Sequence, residues 1–234
     1  MVKEISEKIS KKENDYQIFL FLRSMQKKNP FKLLEKKYEI NMTAKVDHLF
    51  QTIKNNTKGS KIESILDIGT EKIDFLDQLE SSFDAKVNGI NVGDGFCHYE
   101  EVFESYSSDP RFQLYDGEKI PFLDCSFDLV TLYSVIHHVA SSKLDSFVRE
   151  ICRVSKRFVF IKDVNLVDDC CSNLFALQHE LFEGAALPGR NSFRNMNVTL
   201  QGTKDLFSKH GFQVVHTYQM NNFNKSYYML LERK

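Results

Sequence analysis

The sequence lacks the long apolar segment that a membrane-spanning helix needs. No run of about 18 apolar residues occurs in its 234 residues, and the first 15 residues are polar, of mixed charge and without an apolar signal core. We therefore expect a cytoplasmic protein with no membrane partner. Tryptophan is absent, and the four prolines and ten glycines are too few for a collagen-like or low-complexity chain.

Cysteine is scarce and irregularly spaced. The five cysteines are an odd number and form no C-x-x-C pair. We therefore expect a protein of a reducing compartment, without a disulfide framework. Cys170 and Cys171 are neighbours, which is a poor spacing for two zinc ligands. We predict no metal site.

The charges are distributed unevenly. Residues 1–61 contain 14 of the 31 Lys and Arg residues but 7 of the 32 Asp and Glu residues, so the rest of the chain is acidic. A basic segment on an acidic body is compatible with a polyanionic partner. The acids interleaved among the lysines favour the other interpretation, a solvated pair of lysine-rich helices. Residues 1–60 are predicted to be a basic helical extension.

Short apolar runs alternate with amphipathic segments from residue 62 onward. This alternation predicts a doubly wound α/β fold, with a mostly parallel sheet and helices on both faces. The end of the chain, after Gly211, predicts a hairpin whose last strand is antiparallel to its neighbour. Strands are expected in KIESILDIGT, AKVNGINV, RFQLYD, SFDLVTLYSV, RFVFIKDV and the two arms of the hairpin, seven in all, and helices in IDFLDQLESSF, HYEEVFESY, SSKLDSFVREICRVS, CSNLFALQHELFEG and TLQGTKDLFSKHGF.

In an open α/β sheet, ligands bind beyond the carboxyl ends of the strands, near the point where the strand order reverses. The residues that end the predicted strands are therefore the candidate site. They are Asp67, Ile68, Gly69 and Thr70 after the first strand, Asn91 after the second, Asp116 and Gly117 after the third, Tyr133, Ser134 and His137 after the fourth, and Lys162 and Asp163 after the fifth.

The order and spacing of these segments resemble a class I S-adenosylmethionine-dependent methyltransferase of the type 11-like kind. The segment YDGEKIPFLDCSFDLVTLYSVIHHV carries most of the resemblance, and REICRVSKRFVFIKDV and the terminal hairpin continue it. The resemblance covers residues 61–234, which we take as the methyltransferase domain.

The resemblance implies S-adenosylmethionine as the cofactor. Gly69 would allow close approach of the backbone, Asp67 would orient the amino end, and Asn91 would hold the ribose. Asp116 would accept from the adenine amine. Ile68, Thr70, Gly117, Tyr133 and Ser134 complete the predicted cofactor site.

Two departures from the family pattern bear on activity. The turn DIGTEKID lacks a further glycine and carries Glu71, and Asn91 stands where the family has Asp or Glu. An amide holds a ribose less strongly than a carboxylate does. An inactive homologue that serves as a partner subunit of another protein is therefore an alternative to an enzyme.

The segment IKDVNLVDDCCSNLFALQHELFEG resembles methyltransferase domains of viral and related RNA-modifying proteins, although Val164 and Asn165 depart from that pattern. The resemblance implies an RNA acceptor, a cap or a nucleotide. Lys162, Asp163, His137 and His179 are then the candidate catalytic residues. Each of them also has a structural interpretation, as a strand end, a turn or a partly buried histidine. A small-molecule acceptor is the other alternative.

Overall fold

The computed structural model describes residues 49–57, 59–70, 73–92, 108–165, 199–219 and 226–234. The chain divides into two compact units, of which one comprises Met1–Leu49 and Ala176–Phe193 and the other comprises Phe50–Phe175 and Arg194–Lys234. The sheet and the helices that pack on it belong to the second unit. No described helix is long and apolar enough to cross a membrane. The predicted extension 1–60 and the helices HYEEVFESY and CSNLFALQHELFEG lie largely outside the described residues, apart from a helical stretch at 50–56.

Seven strands form one sheet, as the sequence predicted. In chain order they are β1 (Ser64–Ile68), β2 (Lys86–Val92), β3 (Phe112–Tyr115), β4 (Phe127–Tyr133), β5 (Ser155–Asp163), β6 (Phe212–Gln219) and β7 (Tyr227–Arg233). The spatial order is β3-β2-β1-β4-β5-β7-β6. Strands β1 to β5 are parallel, and β7 runs antiparallel to both β5 and β6. The prediction of a mostly parallel sheet with an antiparallel terminal hairpin is confirmed.

In the described part of the chain, three helices accompany the sheet besides the helical stretch at 50–56. They are α1 (Ile73–Phe83), α2 (Ser141–Val154) and α3 (Leu200–Lys209). From β1 the chain crosses to β2 on one side, whereas from β4 it crosses to β5 on the other. Because both crossovers are right-handed in folds of this kind, opposite directions place α1 and α2 on opposite faces of the sheet. A short 3-10 helix, Ile136–His138, follows β4.

The face that carries α2 and α3 holds the main core. Alternate residues of the strands point to this side, so Leu66 and Ile68 of β1 pack with Val148 and Ile151 of α2 and with Phe207 of α3. These side chains are all 2% exposed or less. The apolar spacing of α2 that predicted a helix is the spacing that faces this core.

The opposite face of the sheet carries α1 and the helical stretch at 50–56. The ring of Phe50 lies 6.0 Å from that of Phe75 and 5.6 Å from that of Phe83, so the two helical segments pack together. Leu76 of α1 lies over Gly89 of β2, whose register partner on β1 is Asp67. Asp67 therefore faces the α1 side of the sheet, away from the main core.

Candidate functional site

The carboxyl ends of β1 to β5 lie at one edge of the sheet, because these strands are parallel. The strand order reverses between β1 and β4, so the turns that follow these two strands flank the position where ligands bind in such sheets. Most of the residues predicted from the strand ends are brought to this edge in two groups, and Asp116 and Gly117 lie apart from both, after β3. One group lies around the turn after β1, and the other lies around the turn after β4.

Asp67 is the buried centre of the first group. It is 2% exposed, and its two carboxylate oxygens accept hydrogen bonds from the Thr70 and Thr131 hydroxyls, at 2.8 and 2.7 Å. The N–H groups of Gly69 and Thr70 both donate to the Ile90 carbonyl, at 2.8 and 3.1 Å. The turn is thus fixed to both neighbouring strands. Thr131 was not identified from the sequence, because its contact with Asp67 spans 64 residues.

Backbone conformation and a neighbouring side chain both favour a glycine at position 69. Its φ angle is +82°, and a Cβ atom at this position would lie 2.5 Å from Cγ2 of Val135. The predicted reason for this glycine was close approach of a cofactor, and the described contact is with the turn after β4. Ile68 is 2% exposed and belongs to the main core, so its backbone rather than its side chain faces the site edge.

Asn91 uses its side chain to hold the same turn. Its Nδ2 donates to the Thr70 carbonyl at 3.0 Å, and its Oδ1 accepts the N–H of Val92 at 2.8 Å. A carboxylate at this position would have no hydrogen to give to the Thr70 carbonyl. The departure from the family pattern at Asn91 therefore has a local structural reason.

Asp116 lies at the end of β3 with its carboxylate exposed. Its Oδ1 accepts the N–H groups of Glu118 and Lys119, at 2.8 and 2.9 Å. The hydrogen bonds from these two N–H groups lower the pKa of the Asp116 carboxyl, and the bond from Lys119 has the larger effect. Both bonds end on Oδ1, so Oδ2 is the oxygen placed to accept from a ligand. The neighbouring Gly117 has a φ angle of +76° and packs near Val92 of β2.

The second group is built around Tyr133, Ser134 and Lys162. The Lys162 ammonium donates to the Ser134 hydroxyl at 2.7 Å and lies 4.6 Å from the centre of the Tyr133 ring. The Tyr133 ring also lies 6.0 Å from that of Phe75. Ser134 has a φ angle of +61°, in the left-handed region that a serine seldom adopts. The sequence predicted these three residues, although not their contacts.

His137 and Asp163 form a buried pair next to this group. The His137 Nδ1 hydrogen-bonds to Asp163 Oδ1, and the two residues are 4% and 0% exposed. The Ile136 and Val164 N–H groups also donate to this carboxylate, at 2.9 and 2.7 Å. Burial opposes ionisation of Asp163, but His137, the Val164 N–H and the Lys162 ammonium hold the pKa of its carboxyl below the ordinary value.

A row of three tyrosines and one lysine, called the aromatic row below, continues from this group across the sheet. It consists of Tyr133, Lys162, Tyr228 and Tyr218, which are successive register partners on β4, β5, β7 and β6. The Tyr218 and Tyr228 rings are stacked, with centres 6.5 Å apart and planes 11° apart. Tyr218 is 55% exposed. The tyrosines of the hairpin were not assigned to the site from the sequence, because the pairing of β5 with β7 is needed to bring them there.

Two residues discussed in the sequence analysis for their bearing on activity, Glu71 and His179, lie outside the described part of the chain. Their predicted positions stay predictions. Within the described residues no cluster of three or more His, Cys, Asp or Glu side chains could hold a metal ion.

Comparison with known protein families gives a match to part of the chain. Residues 66–159 match a family described as a methyltransferase domain. No curated protein sequence matches the chain. The fold is the Rossmann-like methyltransferase fold.

Solved structures share this fold at low sequence identity. The chain is similar to magnesium protoporphyrin IX methyltransferase from Synechocystis PCC 6803 with bound SAH, with a TM-score of 0.57 and 15% identity over 86% of this chain and 87% of that one. It is also similar to the PH0226 protein from Pyrococcus horikoshii (TM-score 0.53, 19% identity, 82% of this chain and 91% of that one). A third is a SAM-dependent methyltransferase from Aquifex aeolicus (TM-score 0.51, 15% identity, 78% of this chain and 87% of that one).

Proposed function

We propose that the chain is an S-adenosylmethionine-dependent methyltransferase. The observation that carries the proposal is the match of residues 66–159 to a methyltransferase domain family, since this range contains every predicted cofactor residue. The cofactor is supported further by the similarity of the fold to a methyltransferase solved with bound SAH. The cofactor position we propose is the carboxyl edge between the turns after β1 and β4 and the end of β3.

The chemistry of Asp116 fits the adenine end. The adenine amine is a hydrogen-bond donor, and Asp116 offers an exposed carboxylate whose Oδ1 is fixed by the N–H groups of Glu118 and Lys119. These bonds orient Oδ2, and the lowered pKa keeps the carboxylate ionised at neutral pH. Charge-assisted hydrogen bonds of this kind are stronger than neutral ones.

The turn after β1 fits the amino end. A cofactor ammonium group is stabilised by nearby negative charge. Asp67 supplies that charge from a buried position next to the turn, where Thr70 and Thr131 hold its two carboxylate oxygens. Asn91 Oδ1 already accepts the Val92 N–H. A carbonyl-type oxygen has two lone pairs, so it retains capacity for one ribose hydroxyl.

The residues at this edge act by placement more than by proton transfer. S-adenosylmethionine supplies a methyl group already activated by its sulfonium. What the chain has to provide is the alignment of an acceptor with that methyl and the exclusion of water. Tyr133 and Lys162 lie where the edge continues toward β5, and we assign the acceptor to that side.

RNA is the acceptor class we propose to test first. Two features favour it: the basic composition of residues 1–61 and the aromatic row, since tyrosine faces stack on nucleobases. A small planar acceptor would also stack on the aromatic row. The two classes differ in salt dependence, because phosphate contacts weaken steeply as salt rises.

The alternative of an inactive partner subunit rested on Asn91 and on the turn at Glu71. The hydrogen bond from Asn91 to the Thr70 carbonyl gives the asparagine a structural role in holding the turn after β1. This role is a reason for an asparagine at position 91 that does not require loss of cofactor binding.

Calorimetric titration with S-adenosylmethionine and S-adenosylhomocysteine tests the proposal. Asp116→Asn is the sharpest variant, because an asparagine oxygen can still accept from Glu118 and Lys119 while a donating amide replaces Oδ2. We expect the variant to lower the affinity about 10- to 100-fold with its thermal stability nearly unchanged. Glu63→Gln, at the opposite edge of the sheet and paired with Lys61, is the matched control.

The absence of binding up to millimolar concentration, by a folded wild-type protein, would refute the proposal. Once binding is shown, transfer of a labelled methyl group to short RNA oligonucleotides at two salt concentrations tests the acceptor. Labelling of RNA that falls as salt rises supports an RNA acceptor. No labelling at low salt would exclude the oligonucleotides tested and move the search to small planar acceptors.

A further inference from the structure

We infer that Lys162 and Asp163 are positioning residues, which fix the turn 134–137 and, through Val135, the glycine turn of the proposed cofactor site. The inference rests on the proposed function for its meaning in catalysis. Its structural part, that these residues fix the two turns, does not depend on the proposed function. It assigns to these two residues a role different from the acid–base role predicted from the sequence.

The first contact is a reciprocal pair of hydrogen bonds between Lys162 and Ser134. The Ser134 N–H donates to the Lys162 carbonyl at 2.7 Å, and the Lys162 ammonium donates to the Ser134 hydroxyl at 2.7 Å. Together they hold Ser134 at a φ angle of +61°. A non-glycine residue keeps such a conformation where its surroundings enforce it, which is common at functional sites.

The second contact is made by the next residue of β5 with the 3-10 helix that follows β4. Asp163 accepts the N–H of Ile136 at 2.9 Å and a hydrogen bond from the His137 ring. The carboxylate is fully buried, so it fixes the start of the 3-10 helix and does not face a bound acceptor. Residues 134, 136 and 137 are therefore each bonded to one of the last two residues of β5.

The third contact connects this turn to the turn that follows β1. Val135, between the two anchored positions, packs against Gly69 so closely that a Cβ there would lie 2.5 Å from its Cγ2. Any shift of residues 134–136 moves Val135 against the turn that follows Asp67. Since packed interiors transmit displacement rather than absorb it, the end of β5 sets the position of the glycine turn.

Hydrogen exchange tests this inference without any cofactor. Lys162→Met keeps the length of the side chain and removes the ammonium, and we expect several-fold faster exchange at the Ile136 and Gly69 amides. Lys156→Met is the matched control, because Lys156 lies on the same strand and pairs with Asp128. Equal exchange at Gly69 in the wild type and in Lys162→Met would overturn the inference.

A double-mutant cycle on the affinity for S-adenosylhomocysteine provides the second measurement. Lys162→Met and Ser134→Ala each remove one end of the same bond, so we expect each to weaken binding about 3- to 10-fold and the double variant to be no weaker than the worse single one. Lys162→Arg keeps a donor and should restore affinity to within about twofold of the wild type.

Additive losses, or unchanged affinity in Lys162→Met, would contradict a positioning role. If the wild type does not bind S-adenosylhomocysteine at all, the proposed function fails, and the exchange measurement still decides the inference. A role confined to stability would shift the melting temperature of Lys162→Met without changing the Gly69 amide in the folded state.

Discussion

Asn91 donates a side-chain hydrogen to the carbonyl of Thr70, at 3.0 Å, and this bond ties the end of β2 to the turn after β1. An aspartate has the same shape and cannot donate when ionised. At this position a carboxylate would face the carbonyl oxygen and leave it without its partner. The residue that departs from the family pattern is thus the one that this turn needs.

We predict that Asn91→Asp destabilises the folded chain at pH 7 by about 1–3 kcal/mol, the cost of a lost hydrogen bond with an acceptor left unpaired. Urea denaturation measures it. Asn88→Asp is the control, since Asn88 lies on the same strand and its amide is 3.5 Å from the Arg111 carbonyl, too long for a strong bond. Equal losses in the two variants would show that the Thr70 contact contributes nothing.

We predict that Gly69→Ala destabilises the fold by about 2–4 kcal/mol, because it combines a strained φ angle of +82° with a collision against Val135. Gly211→Ala is the control: its φ angle is +84° and nothing lies within 4 Å of the added Cβ. It should cost about 1–2 kcal/mol, from the backbone alone.

The collision part of this cost can be isolated by rescue. Val135→Ala removes the methyl group that the new Cβ would meet, so the double variant Gly69→Ala with Val135→Ala should be more stable than additivity predicts. Thermal or urea unfolding of the four proteins gives the coupling. Strict additivity would mean that the two residues do not interact.

The sequence predicted the sheet well because several strands, such as β1 and β3, are short runs that end at an Asp and a Gly. A local sequence pattern is enough to identify such strands. Helix α1 was predicted over Ile73–Phe83, the bounds that it has. The boundary between α2 and β5 was less clear, since the chain passes from helix at Val154 to strand at Ser155 without a loop.

The strand-end rule also named the residues that meet at the edge, but it could not pair them. The contacts of Lys162 with Ser134 and of Asp67 with Thr131 link positions 28 and 64 residues apart. Which side chains touch at such distances depends on register and crossover geometry. The apolar periodicity of a strand predicts which face each side chain points to, but it does not identify the residue that lies beside it on another strand.

We predict that Cys152 is inert toward thiol reagents in the folded protein. Burial raises the pKa of its thiol to about 12, and the thiolate is the reactive form. Cys125 is exposed. In a variant with Cys97, Cys170 and Cys171 replaced by serine, we expect one thiol to react with an aromatic disulfide reagent at pH 8 and two after unfolding. Two reactive thiols in the folded protein would contradict this assignment.

The buried pair of Asp163 and His137 should make stability depend on pH. The pKa of the Asp163 carboxyl is lowered by His137, the Val164 N–H and Lys162, against the opposing effect of burial. A carboxyl whose pKa is lower in the folded state contributes stability above its unfolded pKa of about 3.9, and the contribution is lost as pH falls through the folded value.

Asp163→Asn should therefore lower the free energy of unfolding by about 1–3 kcal/mol at pH 7, because it removes a buried carboxylate that accepts hydrogen bonds from His137 and from the Ile136 and Val164 N–H groups. The gap to the wild type should narrow below about pH 4, where the wild-type carboxyl begins to be protonated in the unfolded state. Urea denaturation at a series of pH values from 7 to 3 measures both. Asp145→Asn, at an exposed aspartate that contacts His210, should change stability by less than about 0.5 kcal/mol. A gap for Asp163→Asn that stays constant across this range would mean that the carboxyl's charge does not stabilise the fold and that the turn is held by its hydrogen-bond geometry alone.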